Sequence, residues 1–274
     1  MGTGKRVGLG ASAVVADRVE EKETMLESIA GICVVIAIWV FATTFIAQNF
    51  VIPSGSMEKT LLIGDHVVVD RLTFAPRTDW MPLVHYRAPK RGDIIVFYKP
   101  HPEEPDLILV KRLIGMPGDR IHLRHGVLYL NGVAQNEPYA AMPVDDGIPG
   151  HAYVSSRDDF PQDLEGIQEE SAANNAPGWA AELPSHIQGD DIVVPQGMVF
   201  AMGDNRLGSL DSRFWGFVPR ENILGRPLVV FWSFKMGADE MEKTSMGDKV
   251  AYMAHVVTHL FDGTRWSRTL HVVR

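Results

Sequence analysis

Residues 107–114 read LILVKRLI, a short apolar run with two adjacent charges inside it. On a β-strand successive side chains alternate between faces, so Leu107, Leu109, Lys111 and Leu113 share one face and Val110, Arg112 and Ile114 the other. A lysine among leucines either snorkels from an edge strand or sits where burial favours its neutral form. Arg112 needs solvent or an acidic partner. Runs of the same kind recur on both sides at short spacing: His66–Val69, Asp93–Tyr98, Ile121–Leu123, Val127–Leu130, Met198–Met202 and Leu228–Phe234. Arg124-His125-Gly126 reads as a hairpin turn, Asn131-Gly132 marks the next turn, and Gly203-Asp204-Asn205 ends another run. The pattern predicts a mainly β, antiparallel architecture.

The composition fits that reading. A chain of 274 residues, 46% hydrophobic, is long enough for one large domain or two small ones with a real core. Its 25 Gly and 17 Pro suit short strands and turns better than long helices. The net charge of −8 is unevenly spread. Residues 137–191 hold twelve acidic side chains against Arg157 alone, with weak periodicity, and are expected to form a solvated insertion or small cap. No long basic stripe appears, which argues against nucleic acid as a partner. Cys33 is the sole cysteine, so neither a disulfide nor a Cys-rich zinc site can form within one chain.

Ser28–Ala47, SIAGICVVIAIWVFATTFIA, contains no charged residue. As a helix its twenty residues cover roughly 30 Å, the thickness of a bilayer's hydrocarbon core. It is longer than a signal-peptide core, and Gln48-Asn49-Phe50 follows rather than a small-x-small site, so an uncleaved anchor is expected. Lys5, Arg6, Arg18 and Lys22 precede it and favour a cytoplasmic N-terminus. The expected organisation is a 1–27 arm, a 28–47 transmembrane helix, a β-rich domain over 48–136 and 192–274, and the 137–191 insertion. Val250, Met253, Val257, Leu260 and Phe261 approximate helical spacing near the C-terminus. Phe231-Trp232-Ser233-Phe234 and Trp266 read as core or as lipid-interface residues, and Trp80–Val84 is similarly ambiguous.

PSGSM, residues 53–57, holds Ser56 on a shaped turn between proline and glycine. A serine hydroxyl becomes a nucleophile only when a base takes its proton. The ten histidines are scattered, and none sits in a recognised catalytic pattern. A neutral, buried lysine can serve instead, which makes Lys111 a candidate. His122 and His125 flank the hairpin turn and could form a metal pair, but no third ligand is evident, and no cofactor is expected.

Four stretches resemble the conserved boxes of bacterial type I signal peptidases, the leader peptidases with a Ser-Lys dyad, in the family's order after an anchor. They are Pro53–Leu72 (PSGSMEKTLLIGDHVVVDRL), Arg91–Phe97 (RGDIIVF), Val110–Asp119 (VKRLIGMPGD) and Gly203–Val218 (GDNRLGSLDSRFWGFV). The resemblance implies a membrane-anchored serine endopeptidase that removes signal peptides from exported pre-proteins, an antiparallel β-sheet catalytic domain, and a place in the bacterial inner membrane with that domain outside the cytoplasm. It implies that Ser56 is the nucleophile and Lys111 its general base. Ser54 and the Ser56 amide are implied as oxyanion donors, Ser209 as the residue that orients the lysine, and Asp211 with Arg213 as a bracing pair. Ile52, Pro53, Met57, Leu61, Val67, Leu109 and Val110 match positions lining the groove for small residues of the signal peptide, which is expected to bind by strand addition. Signal peptides, membrane lipid and the export translocon are the expected partners.

Two departures stand out. The family's first box commonly reads S-M-x-P-T, whereas Lys59 occupies the proline position, so a proline there is expected to do little harm. Leu207-Gly208 replaces the usual Asp-Asn. Lys59 also makes Ser56-Met57-Glu58-Lys59 an S-x-x-K match, as in penicillin-recognising enzymes, though K-T-G and S-D-N are missing. A non-catalytic peptide-binding module or a self-cleaving repressor would share parts of this pattern. The filled catalytic positions argue against the first, and an anchor where a DNA-binding domain would stand argues against the second.

Overall fold

A computed structural model describes residues 25–79, 82, 84–100, 106–237 and 245–273. Lys5, Arg6, Arg18, Lys22 and most of the Trp80–Val84 run lie outside the described residues. The chain divides into two compact units, one ending at Val40 and the other beginning at Phe41.

Helix α1 spans Met25–Phe41 and buries none of its residues. With the π-helical turn Ala42–Ile46 it continues an apolar run from Met25 to Ile46, 22 residues, long and apolar enough to cross a membrane. It starts ahead of the expected Ser28. Ala47, expected in the helix, opens the first strand instead.

The second unit begins with β1 (Ala47–Val51), β2 (Asp65–Asp70), β3 (Ile94–Tyr98), β4 (Ile108–Gly115), β5 (Arg120–Arg124), β6 (Val127–Leu130) and β7 (Val133–Ala134). Three helices follow, α2 (Ser155–Asp158), α3 (Leu164–Ala173) and α4 (Pro177–His186). Then come β8 (Ile187–Gln188), β9 (Asp191–Val193), β10 (Met198–Met202), α5 (Ser212–Trp215), β11 (Val218–Pro219) and β12 (Ile223–Ser233). The C-terminal part holds α6 (Met246–Thr258), α7 (Leu260–Gly263) and β13 (His271–Val272).

The main sheet runs β1-β2-β12-β3-β4-β10-β11, with β13 also on β12, and a second sheet runs β7-β6-β5-β9-β8. Every pairing is antiparallel, as the strand spacing predicts. Short turns set the second sheet's register. Arg124 pairs Val127 across His125 and Gly126, both with positive φ (50° and 79°), and Leu130 pairs Val133 across Asn131 and Gly132 (53° and 79°). Positive φ at both central residues is the hairpin turn whose twist matches the strands it joins.

β3 is buried on both faces. Ile95 and Phe97 join one apolar cluster, and Ile94 and Val96 the other. A strand with two covered faces reads as a continuous apolar run, which is how IIVF appears in the sequence. β12 begins at Ile223, ahead of the expected Leu228, because Gly225 and Pro227 interrupt its apolar pattern. Its register shifts near Pro227 and again between Val230 and Trp232, and it pairs β3 at one end and β2 along the rest. Gly225 is required at that crossing, since a Cβ there would run into the Asp70 carbonyl.

The acid-rich stretch is not merely a solvated loop. Phe160, Ile167, Trp179 and Leu183 are buried in the same apolar cluster as Phe200 and Trp215. The charge rides on elements whose inner faces share the main core. α6 lies where the helical spacing predicts, but Val250, Met253, Val257 and, beyond it, Phe261 are all exposed.

Lys59 corrects one expectation. Its φ is +89°, in the region that favours glycine. Proline is locked near −65°, so it cannot take this turn as it stands. Lys59→Pro should therefore destabilise the protein by more than about 1 kcal/mol, whereas Lys59→Gly should be neutral or stabilising. Denaturant melts of the three proteins in detergent check this.

Candidate active site

Ser56 sits in a 3-10 turn, Gly55–Met57, entered from an extended Ser54 (φ −133°, ψ 156°). The turn is held from the loop after β10. The Asn205 amide donates to the Ser56 carbonyl (3.1 Å), and Asn205 Nδ2 donates to the Gly55 carbonyl (3.1 Å). Ser56 is left only 6% exposed. Lys111 reaches the same point from β4, with its Nζ donating to Ser56 Oγ at 2.5 Å.

Lys111 is 3% exposed. Burial withholds water from its ammonium and lowers its pKa to about 8; Asp211 pulls it back up, Arg213 pushes it down, and Asp204 pulls it up. Each nearby acid is occupied by an arginine. Asp211 takes Arg213 Nε (2.8 Å) and Nη2 (2.9 Å), and it also accepts from the Gly203 amide (3.0 Å). Asp204 takes Arg112 Nε (2.8 Å) and Nη2 (2.6 Å), which supplies the acidic partner Arg112 needs. Thr60 Oγ1 also donates to Asp204 (2.5 Å), tying the turn after Ser56 to this pair.

Ser54 Oγ lies 3.4 Å from Ser56 Oγ. Ser209 is buried beside Gly203, where a Cβ would meet both the Ser209 hydroxyl and the Ser56 carbonyl. Among the described residues the Ser209 hydroxyl has no hydrogen-bond partner. The expected bond from Ser209 to Lys111 is therefore not formed here, although the loop brings the two residues to one site.

An apolar cleft of about 60 Å³ opens beside Ser56. Ile52, Pro53, Val67, Leu109 and Val110 line it together with Ser54, Ser56 and Lys111. Met57 and Leu61, expected on its wall, are fully buried and do not line it. Two strand edges flank the cleft. Among the described residues β1 pairs only with β2, and Ile108–Val110 pair β3 on one side while β10 takes up only Arg112, Leu113 and Gly115 on the other.

Sequence reading missed the residues that bind the acid-rich stretch to this site. Arg206 donates to Glu137 through both Nη atoms (2.8 and 2.7 Å), Arg157 Nη1 donates to the Leu207 carbonyl (3.2 Å), and Arg213 Nη1 donates to the Arg157 carbonyl (3.1 Å). Arg157, the stretch's single basic residue, was the available signal. Leu207-Gly208 lies in a 3-10 turn held by these contacts.

Other candidates separate. Lys59 Nζ donates to the Ala140 carbonyl (3.2 Å), while the lysine at Ser56 is Lys111, which removes the S-x-x-K reading. His122 bonds Asp191 (2.5 Å) and His125 approaches Asp159 (3.7 Å), so the two do not form a pair. Among the described residues no three His, Cys, Asp or Glu side chains gather as metal ligands. Phe234 is core, Trp232 is half-buried and Trp266 is exposed.

The profile of the family described as Signal peptidase, peptidase S26 matches residues 25–232. A signal peptidase I from Aquifex aeolicus (strain VF5) is 33% identical over 234 residues, covering 77% of this chain and 86% of its own. One from Leptolyngbya laminosa is 32% identical over 210 residues, covering 74% and 76%. A crystal structure of a signal peptidase I from Enterococcus faecalis V583 is 32% identical and covers 51% of this chain and 97% of its own, at a TM-score of 0.33.

Two substitutions test the geometry without any assay of chemistry. Lys111 titrates near 8 in the fold against 10.5 otherwise, so the unfolded chain binds more protons between those pH values. Stability from this group therefore rises with pH across that window and is lowest below it. Lys111→Met should be more stable than wild type by about 3 kcal/mol at neutral pH, and the gap should close above pH 10.5. Gly203→Ala should cost about 1–3 kcal/mol, because backbone and a buried serine must both move. Denaturant titrations across pH measure both.

Proposed function

The chain belongs to the signal peptidase family, peptidase S26, and is a serine peptidase; on that premise we propose that Ser56 and Lys111 are its catalytic dyad and that it cuts signal peptides as a membrane-anchored endopeptidase. The observation that carries the proposal is the buried amine of Lys111, 2.5 Å from Ser56 Oγ. A neutral amine takes the hydroxyl proton as Ser56 Oγ attacks the scissile carbonyl. The tetrahedral oxyanion is held by the Ser56 amide and the Ser54 hydroxyl. Lys111 then gives the proton to the departing amine. Water, deprotonated by the same lysine, attacks the acyl-serine carbonyl, and the lysine returns the proton to Ser56 Oγ as the acyl product leaves.

The substrate lies as an added strand in the cleft between β1 and the Ile108–Val110 edge of β4. Free backbone groups on both edges give main-chain hydrogen bonds, and the small apolar pocket selects short side chains. Ile52, Pro53, Val67, Leu109 and Val110 are its walls; Met57 and Leu61 act from beneath, by fixing the turn. Asp211 and Arg213 position the loop that carries Gly203 and Ser209, and Ser209 is available to bond the lysine once substrate is bound. The Met25–Ile46 run is the anchor, with the second unit outside the cytoplasm of a bacterial inner membrane, next to the export translocon that delivers pre-proteins. The exposed apolar residues of α6 suit contact with membrane lipid.

Cleavage of one synthetic signal-peptide substrate tests the assignment. Ser56→Ala and Lys111→Ala should both be inactive while folded, and Lys111→Arg should not rescue, since guanidinium stays charged. Ser54→Ala should lower turnover about 10²–10³-fold. Wild-type turnover should rise with pH through an apparent pKa of about 8 and level off above it. Full activity in Lys111→Ala would overturn the dyad.

A further inference from the structure

Apart from the Ser56 cleft, the second unit carries an open cleft of about 950 Å³. Four arginines line it, Arg71, Arg77, Arg87 and Arg220, against one carboxylate, Glu221. Two of them are committed. Arg87 pairs with both oxygens of Asp93 (2.6 and 2.9 Å) and lies over the Phe74 ring. Arg71 donates to the Thr44 carbonyl (2.6 Å) and to Gln48 Oε1 (3.4 Å).

Arg77 and Arg220 have no carboxylate partner among the described residues. Arg77 is exposed. Arg220 is half-buried, and its side chain makes a long hydrogen bond to the Phe74 carbonyl (3.4 Å). Burial draws its guanidinium below the ordinary value, with no neighbouring charge acting to restore it. A concave surface with uncompensated cations favours an anion, and guanidinium forks match phosphate oxygens in pairs.

The rest of the wall is apolar, and it includes Phe45, Leu72 and Phe74. Phe45 also belongs to the Met25–Ile46 run. A ligand that satisfies both parts has an anionic phosphate head and an apolar body, and a bilayer spanned by that run supplies such molecules at the run's end. We infer that this cleft binds the phosphate headgroup of an anionic membrane lipid. The inference rests on the reading of Met25–Ile46 as a membrane span, which carbonate extraction of membranes tests separately.

The test uses the full-length chain in neutral detergent, in the Ser56→Ala background, so lipid binding is read independently of cleavage. Affinity is measured calorimetrically for short-chain phosphatidylglycerol, short-chain phosphatidylcholine, laurate and inorganic phosphate. Phosphatidylglycerol should bind, and Arg77→Ala/Arg220→Ala should weaken it at least about tenfold through loss of two charge-assisted contacts. An Arg120→Ala/Arg124→Ala control, which removes equal charge on β5 away from this cleft, should bind as the parent does. With Ser56 restored, the arginine variant should cleave peptide in lipid-free detergent at the wild-type rate. Arg77 is exposed, so Arg77→Glu alone carries the test if the double variant does not fold. Equal phosphatidylglycerol affinity in parent and arginine variants would overturn the inference. So would phosphatidylcholine, laurate or inorganic phosphate binding as tightly as phosphatidylglycerol.

Discussion

An ammonium group denied water is the constraint on which the site depends. Lys111 lies almost wholly inside the protein, and its charged form is penalised there. Two buried carboxylates, Asp211 and Asp204, stand close enough to oppose that penalty. Both pull its pKa up, but less than burial lowers it, and Arg213, which forks Asp211, pushes the same way as burial. Arg213 thus does more than brace a loop: its charge offsets part of the pull of Asp211 on the lysine proton. A group that loses stability when charged is kept at the centre of the fold, which is the usual pattern where chemistry rather than packing dictates a residue.

Much of this was legible in the chain. Short apolar runs marked the longer strands, and period-two alternation set Lys111 among the leucines of its own strand. The ordered boxes, rather than spacing, singled out Ser56, Asp211 and Arg213. What the sequence did not reveal was nonlocal. β1 was hidden because Ala47–Val51 merges with the apolar run before it, and the first half of β12 because Gly225 and Pro227 break its pattern. The turn at Lys59 was misread because a positive φ leaves no trace in a lysine. The placement of Met57 and Leu61 beneath the cleft, not on its wall, depends on which way a single turn faces.

The acid-rich stretch shows how composition can mislead. Twelve acidic side chains suggested a solvated insertion or small cap. Yet Trp179, Phe160 and Leu183 from this region lie in the main core, and Glu137 and Arg157 reach the loop that supports Ser56. Charge density describes the outside of an element and says little about its other face. These contacts converge on Arg206, Leu207 and Arg213, and Arg206 Nε in turn donates to the Gly203 carbonyl (3.1 Å).

The strand order has a consequence for when the protein can act. Ser56 follows β1 and Lys111 lies on β4, but the sheet between them is closed by β12, whose residues come more than a hundred positions after the lysine. The loop that grips the Ser56 carbonyl also comes from beyond residue 200. During synthesis, then, the serine and the lysine are both made long before they can be brought together, and a nascent or truncated chain carries the parts of the site without its geometry. Long-range pairing of this sort is slow to form. Here the meeting of Ser56 and Lys111 waits on the strand Ile223–Ser233, far along the chain from both.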